Sequence, residues 1–159
     1  DVTKGIPLRD EAVNGIFSEH CFEHIPFESM DFVFRECHRV LKPGGCMRIV
    51  MPDGELYLTR YAAIIQGRVD LKLPYAENHS VEGIYSPILT VNRVFRHHGH
   101  LFIYDFDALR QLLLKNGFVD IKKEEYGAGR DPQLLIDSEE RAVESLYVEA
   151  SKPMYSTTA

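Results

Sequence analysis

The chain has 159 residues, 45% of them hydrophobic and 26% charged, which suits one ordinary globular domain and excludes disordered and fibrous classes. With 18 Lys and Arg against 24 Asp and Glu, the formal net charge is −6, so a basic nucleic-acid footprint is absent and no nucleic-acid partner is expected. No apolar run approaches the roughly 20 residues of a membrane-spanning helix.

The opening segment, Asp1–Asp10, is rich in charge, Gly and Pro and reads as a loop; it predicts no signal peptide. Val13 to Glu19 holds the short apolar run Val13, Ile16 and Phe17, which predicts a buried strand. From Ser29 to Leu41 the apolar positions Met30, Val33, Phe34, Cys37, Val40 and Leu41 recur every three or four residues, which predicts an amphipathic helix capped by Ser29. Lys42-Pro43-Gly44-Gly45 stops that helix, and Cys46 to Met51 reads as a second buried strand ending at Pro52-Asp53-Gly54. Strand, helix and strand in this order predict one βαβ unit with parallel strands. Residues 55–66 read as a helix closed by Gly67, and the polar stretch 67–83 is broken by Pro74. A helix is expected from Pro87 to Phe95, followed by a loop, Arg96-His97-His98-Gly99-His100. Asp105 caps a further helix carrying Leu109, Leu112 and Leu113, with Gly117 just past its end. Phe118 to Glu125 and Ser145 to Ser151 read as two last strands, joined as an antiparallel hairpin around a long loop. Cys21, Cys37 and Cys46 form no CxxC pair, which predicts reduced thiols and a cytoplasmic setting.

Three stretches together resemble a known family. Asp1-Val2 with Ile6-Pro7-Leu8, then Asn14-Gly-Ile-Phe-Ser-Glu-His20 with Glu23-His24, and Arg39-Val-Leu-Lys-Pro-Gly-Gly45 running on to Met51-Pro52-Asp53, look like the second half of a class I S-adenosylmethionine-dependent methyltransferase of the type 11 kind. Asp105 to Leu109, Leu112-Leu113, Asn116-Gly-Phe118 and the closing Val148-Glu149-Ala150 with Lys152 fit the same family. The family's glycine-rich cofactor turn has no counterpart here, since Gly127-Ala128-Gly129 falls after the penultimate strand. The resemblance therefore implies a partial Rossmann-like α/β fold, a mixed sheet of about four strands flanked by helices. Residues 1–152 are expected to be the carboxyl-terminal part of such a domain, with 84–104 as a substrate lid and 153–159 as a tail, of which Ser156–Ala159 reads as frayed.

The resemblance places Asp1 and Val2 at the adenine of S-adenosylmethionine, and Ser18, Glu19 and His20 beside its methionine end. It implies methyl transfer to a small-molecule, glycan or lipid-linked acceptor, with weak or no cofactor binding by these residues alone. His20, His24 and His98 are the candidate proton acceptors, because imidazole titrates near neutral pH. His97, His100, Arg93 and Arg96 lie close by in sequence. No metal site is expected from this resemblance. Two further readings stand beside it. His20-Cys21-Phe22-Glu23-His24 has the H-x-x-E-H spacing of a zinc peptidase, which needs both histidines on one helical face. Alternatively the chain is an inactive interaction module that forms a homodimer through the exposed edge of Val13–Phe17.

Overall fold

The computed structural model describes residues 1–78 and 80–154; most of the tail expected over 153–159 lies outside them. In chain order the elements are β1 (Val13–Glu19), α1 (Met30–Val40), β2 (Leu41–Pro52) and α2 (Gly54–Ile65). A two-stranded ribbon, β3 (Ser80–Val81) and β4 (Ile84–Tyr85), precedes α3 (Pro87–Arg96). The chain closes with α4 (Phe106–Lys115), β5 (Val119–Glu124) and β6 (Ser145–Ser151).

One four-stranded sheet in the order β1-β2-β6-β5 organises the molecule. β1 and β2 are parallel, joined through α1, while β6 runs antiparallel to both of its neighbours. This is the mixed α/β sheet with a closing antiparallel hairpin that the sequence predicts. On one face α1 and α4 bury Val33, Phe34, Leu109 and Leu113 against Met47, Ile49 and Met51 of β2 and Leu146, Val148 and Ala150 of β6. Each such Leu or Phe removed from water is worth about 1.5–3 kcal/mol. The loop between β5 and β6 reaches the opposite face, where Arg48 donates to the carbonyl oxygens of Glu125 and Ala128 and pairs with Asp137. A second, smaller core of Tyr57, Leu73, Ala76, Val91 and Val94 joins α2 to α3.

Several local expectations change. β1 is an edge strand in which Ser18 alone is buried, so the predicted buried strand is half exposed. Strand β2 begins at Leu41 rather than Cys46: Val13 pairs with Leu41 and Gly15 with Cys46, so Lys42–Gly45 bulges out of the ladder instead of standing apart as a turn. Ser29 makes no side-chain cap bond, because the chain enters α1 through the 3-10 turn Phe27–Ser29 after Pro26. Asp105 does cap α4, accepting from the Ala108 amide at 2.8 Å, and Gly117 takes φ +83° beyond its end. The β3–β4 ribbon, which runs from the end of the polar stretch into the start of the expected lid, was not foreseen. Among the described residues no helix is long and apolar enough to cross a membrane, and the three cysteines are free.

Candidate active site

The carboxyl ends of β1 and β2 lie at the same end of the sheet, since Glu19 pairs with Val50 and the His20 amide donates to the Val50 carbonyl at 2.9 Å. Just past β2, Asp53 caps α2 by accepting from the Leu56 amide at 3.2 Å, and its own amide donates to the Glu144 carbonyl at 2.9 Å. Glu144 stands immediately before β6, so the tips of three strands converge. Over them lies a cavity of about 490 Å³. Its wall takes His20 and His24 from the β1 tip, Arg93, His98 and His100 from α3 and the loop after it, and Tyr75, Glu140, Arg141 and Glu144 from two further loops.

Several wall groups are held by traceable contacts. His20 has positive φ (45°), which turns its ring back so that Nε2 lies 3.0 Å from Ser145 Oγ and Nδ1 3.3 Å from Glu23 Oε1. Glu144 accepts from the Tyr57 hydroxyl at 2.7 Å and from Arg141 at 3.1 Å. Burial, with Glu144 beside it, raises the Tyr57 pKa and keeps that phenol a donor. Burial first, then the Glu144 charge, raises the Tyr75 phenol, which donates to the Glu140 carbonyl. Burial and then the Arg93 charge lower the pKa of His98, favouring its neutral imidazole. Behind the wall, Tyr104 is fully buried and its hydroxyl has no partner among the described residues.

The residues singled out from the sequence separate into two sets. His20, His24 and His98 all reach the cavity wall. Asp1 turns its carboxylate onto Thr3, accepting from the amide at 3.1 Å and the hydroxyl at 2.7 Å, and so caps a 3-10 turn. Val2 packs half-buried against the main core. Ser18 is buried within β1. Glu19 gives both carboxylate oxygens to Ser138, at 2.8 Å from the amide and 2.6 Å from the hydroxyl, and thereby anchors the β5–β6 loop. The H-x-x-E-H pattern does not lie on a helix: Phe22–His24 is a single 3-10 turn with Pro26 after it, so His20 and His24 do not share a helical face. Tyr75, Glu140, Arg141 and Glu144 were missed, because they sit in loops with no periodicity.

Comparison with known proteins adds the following. Residues 1–49 match a family described as methyltransferase domain. No curated protein sequence matches the chain. A SAM-dependent methyltransferase from Archaeoglobus fulgidus superposes with a TM-score of 0.55 at 17% identity, over 96% of this chain and 65% of that one. Phosphoethanolamine N-methyltransferase 2 of Haemonchus contortus, in complex with S-adenosyl-L-methionine, gives 0.53 at 16% identity over 96% of this chain and 36% of that one. A possible exported protein from Bordetella parapertussis gives 0.55 at 18% identity, over 96% and 42%. At such identities the likeness is one of fold, and the chain spans less than two thirds of each of these structures.

Proposed function

We propose that the chain is part of a class I S-adenosylmethionine-dependent methyltransferase of the type 11 kind whose cavity seats the acceptor in a methyl transfer; the match of residues 1–49 to a methyltransferase domain and the fold shared with such enzymes support this. The acceptor is a small molecule, or the small end of a glycan- or lipid-linked one. The observation that carries this reading is position: the cavity opens at the carboxyl ends of parallel β1 and β2, where open α/β sheets take their ligands.

S-adenosylmethionine, when bound, supplies an electrophilic methyl group on a sulfonium. The protein then has to hold the acceptor in line and, for a hydroxyl or amine, take its proton. Arg93 and Arg141 offer donors to acceptor oxygens, and His20, His24 and His98 are the imidazoles placed to receive a proton. Residues 84–104, with α3 at their centre, act as the lid over the acceptor. The reading takes the setting as cytoplasmic, on the three free thiols.

The fit to the cofactor itself is partial. Of the residues assigned to it by resemblance, His20 faces the cavity, while Asp1 and Glu19 have their carboxylates engaged by Thr3 and Ser138. The reading therefore includes weak cofactor binding by these 159 residues alone. Titration with S-adenosylhomocysteine, followed by backbone amide NMR, tests both parts. Millimolar ligand should shift the amides of residues 18–24 and 53–54 with a dissociation constant weaker than micromolar. Shifts confined to other regions, or none, would sink the site; micromolar affinity would sink the partial fit.

A second reading rests on a different observation. β1 forms one edge of the sheet and pairs with β2 on one side only, which favours an interaction module in which a second copy pairs along that edge.

A further inference from the structure

Glu23 has no solvent exposure, yet neither of its carboxylate oxygens receives a hydrogen bond among the described residues. A carboxylate withdrawn from water without donors carries a desolvation cost that neighbouring backbone does not offset. What such a group calls for is a cation. Its Oε1 lies 3.3 Å from His20 Nδ1 and 3.8 Å from His24 Nε2, close enough to attract but not aligned as a hydrogen bond. His100 completes the group: one donor atom each from Glu23, His24 and His100 fall within 4.8 Å of one another.

We propose that Glu23, His24 and His100 bind a divalent transition-metal ion, Zn²⁺. This differs from the peptidase pattern of the sequence, in which His20 is the second ligand and Glu23 a base. Here Glu23 is a ligand, and the third ligand, His100, comes from the loop after α3.

Two features of the chain prepare these donors. His100 Nδ1 lies 2.6 Å from the Val94 carbonyl oxygen. A carbonyl can only accept, so Nδ1 carries the proton and Nε2 keeps its lone pair. A backbone carbonyl behind a metal-bound imidazole fixes the ring in this way. The two loops are also fastened together, because the amides of Leu101 and Phe102 donate to the Glu23 carbonyl at 2.7 and 3.2 Å. The rings of His24 and His100 consequently meet edge to face, with centroids 4.9 Å apart.

Two imidazoles and one carboxylate form the borderline donor set that zinc takes, whereas Mg²⁺ and Ca²⁺ favour oxygen ligands throughout. His24 and His100 both stand on the cavity wall, so the ion enters from the cavity and its unfilled coordination position opens toward it. The inference does not rest on the methyl-transfer reading, and the two fail separately.

Calorimetry with ZnCl₂ on the chelator-washed 159-residue chain at neutral pH, with elemental analysis after gel filtration, is the test. One zinc per chain with sub-micromolar affinity is expected, weakened at least about tenfold by E23Q and by H100Q. Circular dichroism monitors the fold. H100Q alters a half-exposed group and so keeps the test sound even if E23Q unfolds. H97Q, outside the three ligands, should bind as the parent does. Absence of stoichiometric zinc by either method overturns the proposal, as does parental affinity in H100Q or an equal loss in H97Q.

Discussion

Glu36 shows how much one surface residue of α1 can hold in place. Arg39, three residues on, donates Nε to Oε1 at 2.7 Å and a terminal nitrogen to Oε2 at 2.8 Å, while the Ile6 amide donates to Oε2 at 2.9 Å. The same guanidinium donates to the carbonyls of Ile6 and Leu8, so the pair fastens the opening segment to α1. Arg39, and after it the Ile6 amide, pull the Glu36 carboxyl from its ordinary 4.5 down to about 2. A carboxyl depressed in the folded state stabilises that state fully above its unfolded value, and the stabilisation is lost as pH falls from 4.5 toward 2. E36Q should therefore be less stable than the parent at neutral pH, and the gap should close across that acid window. Urea midpoints at stepped pH, compared between the two proteins, read this difference directly; a gap that does not change with pH would refute it. The sequence showed Glu36 and Arg39 as neighbours on one helix, but nothing in it tied them to Ile6. Arg48 is a sharper case of the same limit. It is fully buried in β2, 3.2 Å from Glu149 and paired with Asp137, partners that lie on elements far along the chain. Apolar periodicity marks its strand as buried and cannot foresee the polar cluster that lets a guanidinium stay there.

Elements whose apolar residues repeat with a clear period were legible, and α1, α4 and β6 lie within about two residues of their expected bounds. Junctions were legible only where one side chain acts locally, as Asp105 does. The entry to α2 depends on something sequence patterning does not carry, a close approach of two backbones. Gly54 donates its amide to the Tyr104 carbonyl at 2.9 Å, and a Cβ placed on Gly54 would stand 2.9 Å from that same oxygen. Tyr104 is fully buried and its backbone has little room to retreat. G54A should therefore cost about 1–3 kcal/mol, as overpacking of a filled site does, and lower the melting temperature by several degrees. It should also disturb the cavity, because the Gly54–Tyr104 bond joins α2 to the segment leading out of the histidine loop, and the Asp53 amide beside it donates to the carbonyl of Glu144 on the cavity wall. Thermal unfolding followed by circular dichroism checks the first part; an unchanged melting temperature would show that the two backbones can separate freely. The candidate site divides along the same line. His20, His24 and His98 were visible because histidine in a loop is chemically conspicuous, whereas Tyr75, Arg141 and Glu144 reach the wall only through long-range packing.

At the scale of the molecule, the sheet order β1-β2-β6-β5 leaves β1 with one free side, and its register with β2 engages the backbone groups on the other side alone. Among the described residues, alternate amides and carbonyls of β1 therefore have no strand beside them, which is the arrangement that invites another strand to pair. β1 also keeps Val13, Ile16 and Phe17 only partly covered, so pairing would bury apolar surface as well as satisfy backbone groups. On this argument we propose a homodimer through β1, for which light scattering should return twice the 18.2 kDa of one chain. Mass alone does not identify the surface, because β4 and the start of α3 also expose Ile84, Tyr85 and Ile88. Hydrogen exchange separates the two. Pairing through β1 should slow the outward amides between Val13 and Glu19 as protein concentration rises, and leave residues 84–88 exchanging as before. A single-chain mass at every concentration would overturn the argument, and so would a dimer that protects residues 84–88 while β1 continues to exchange freely.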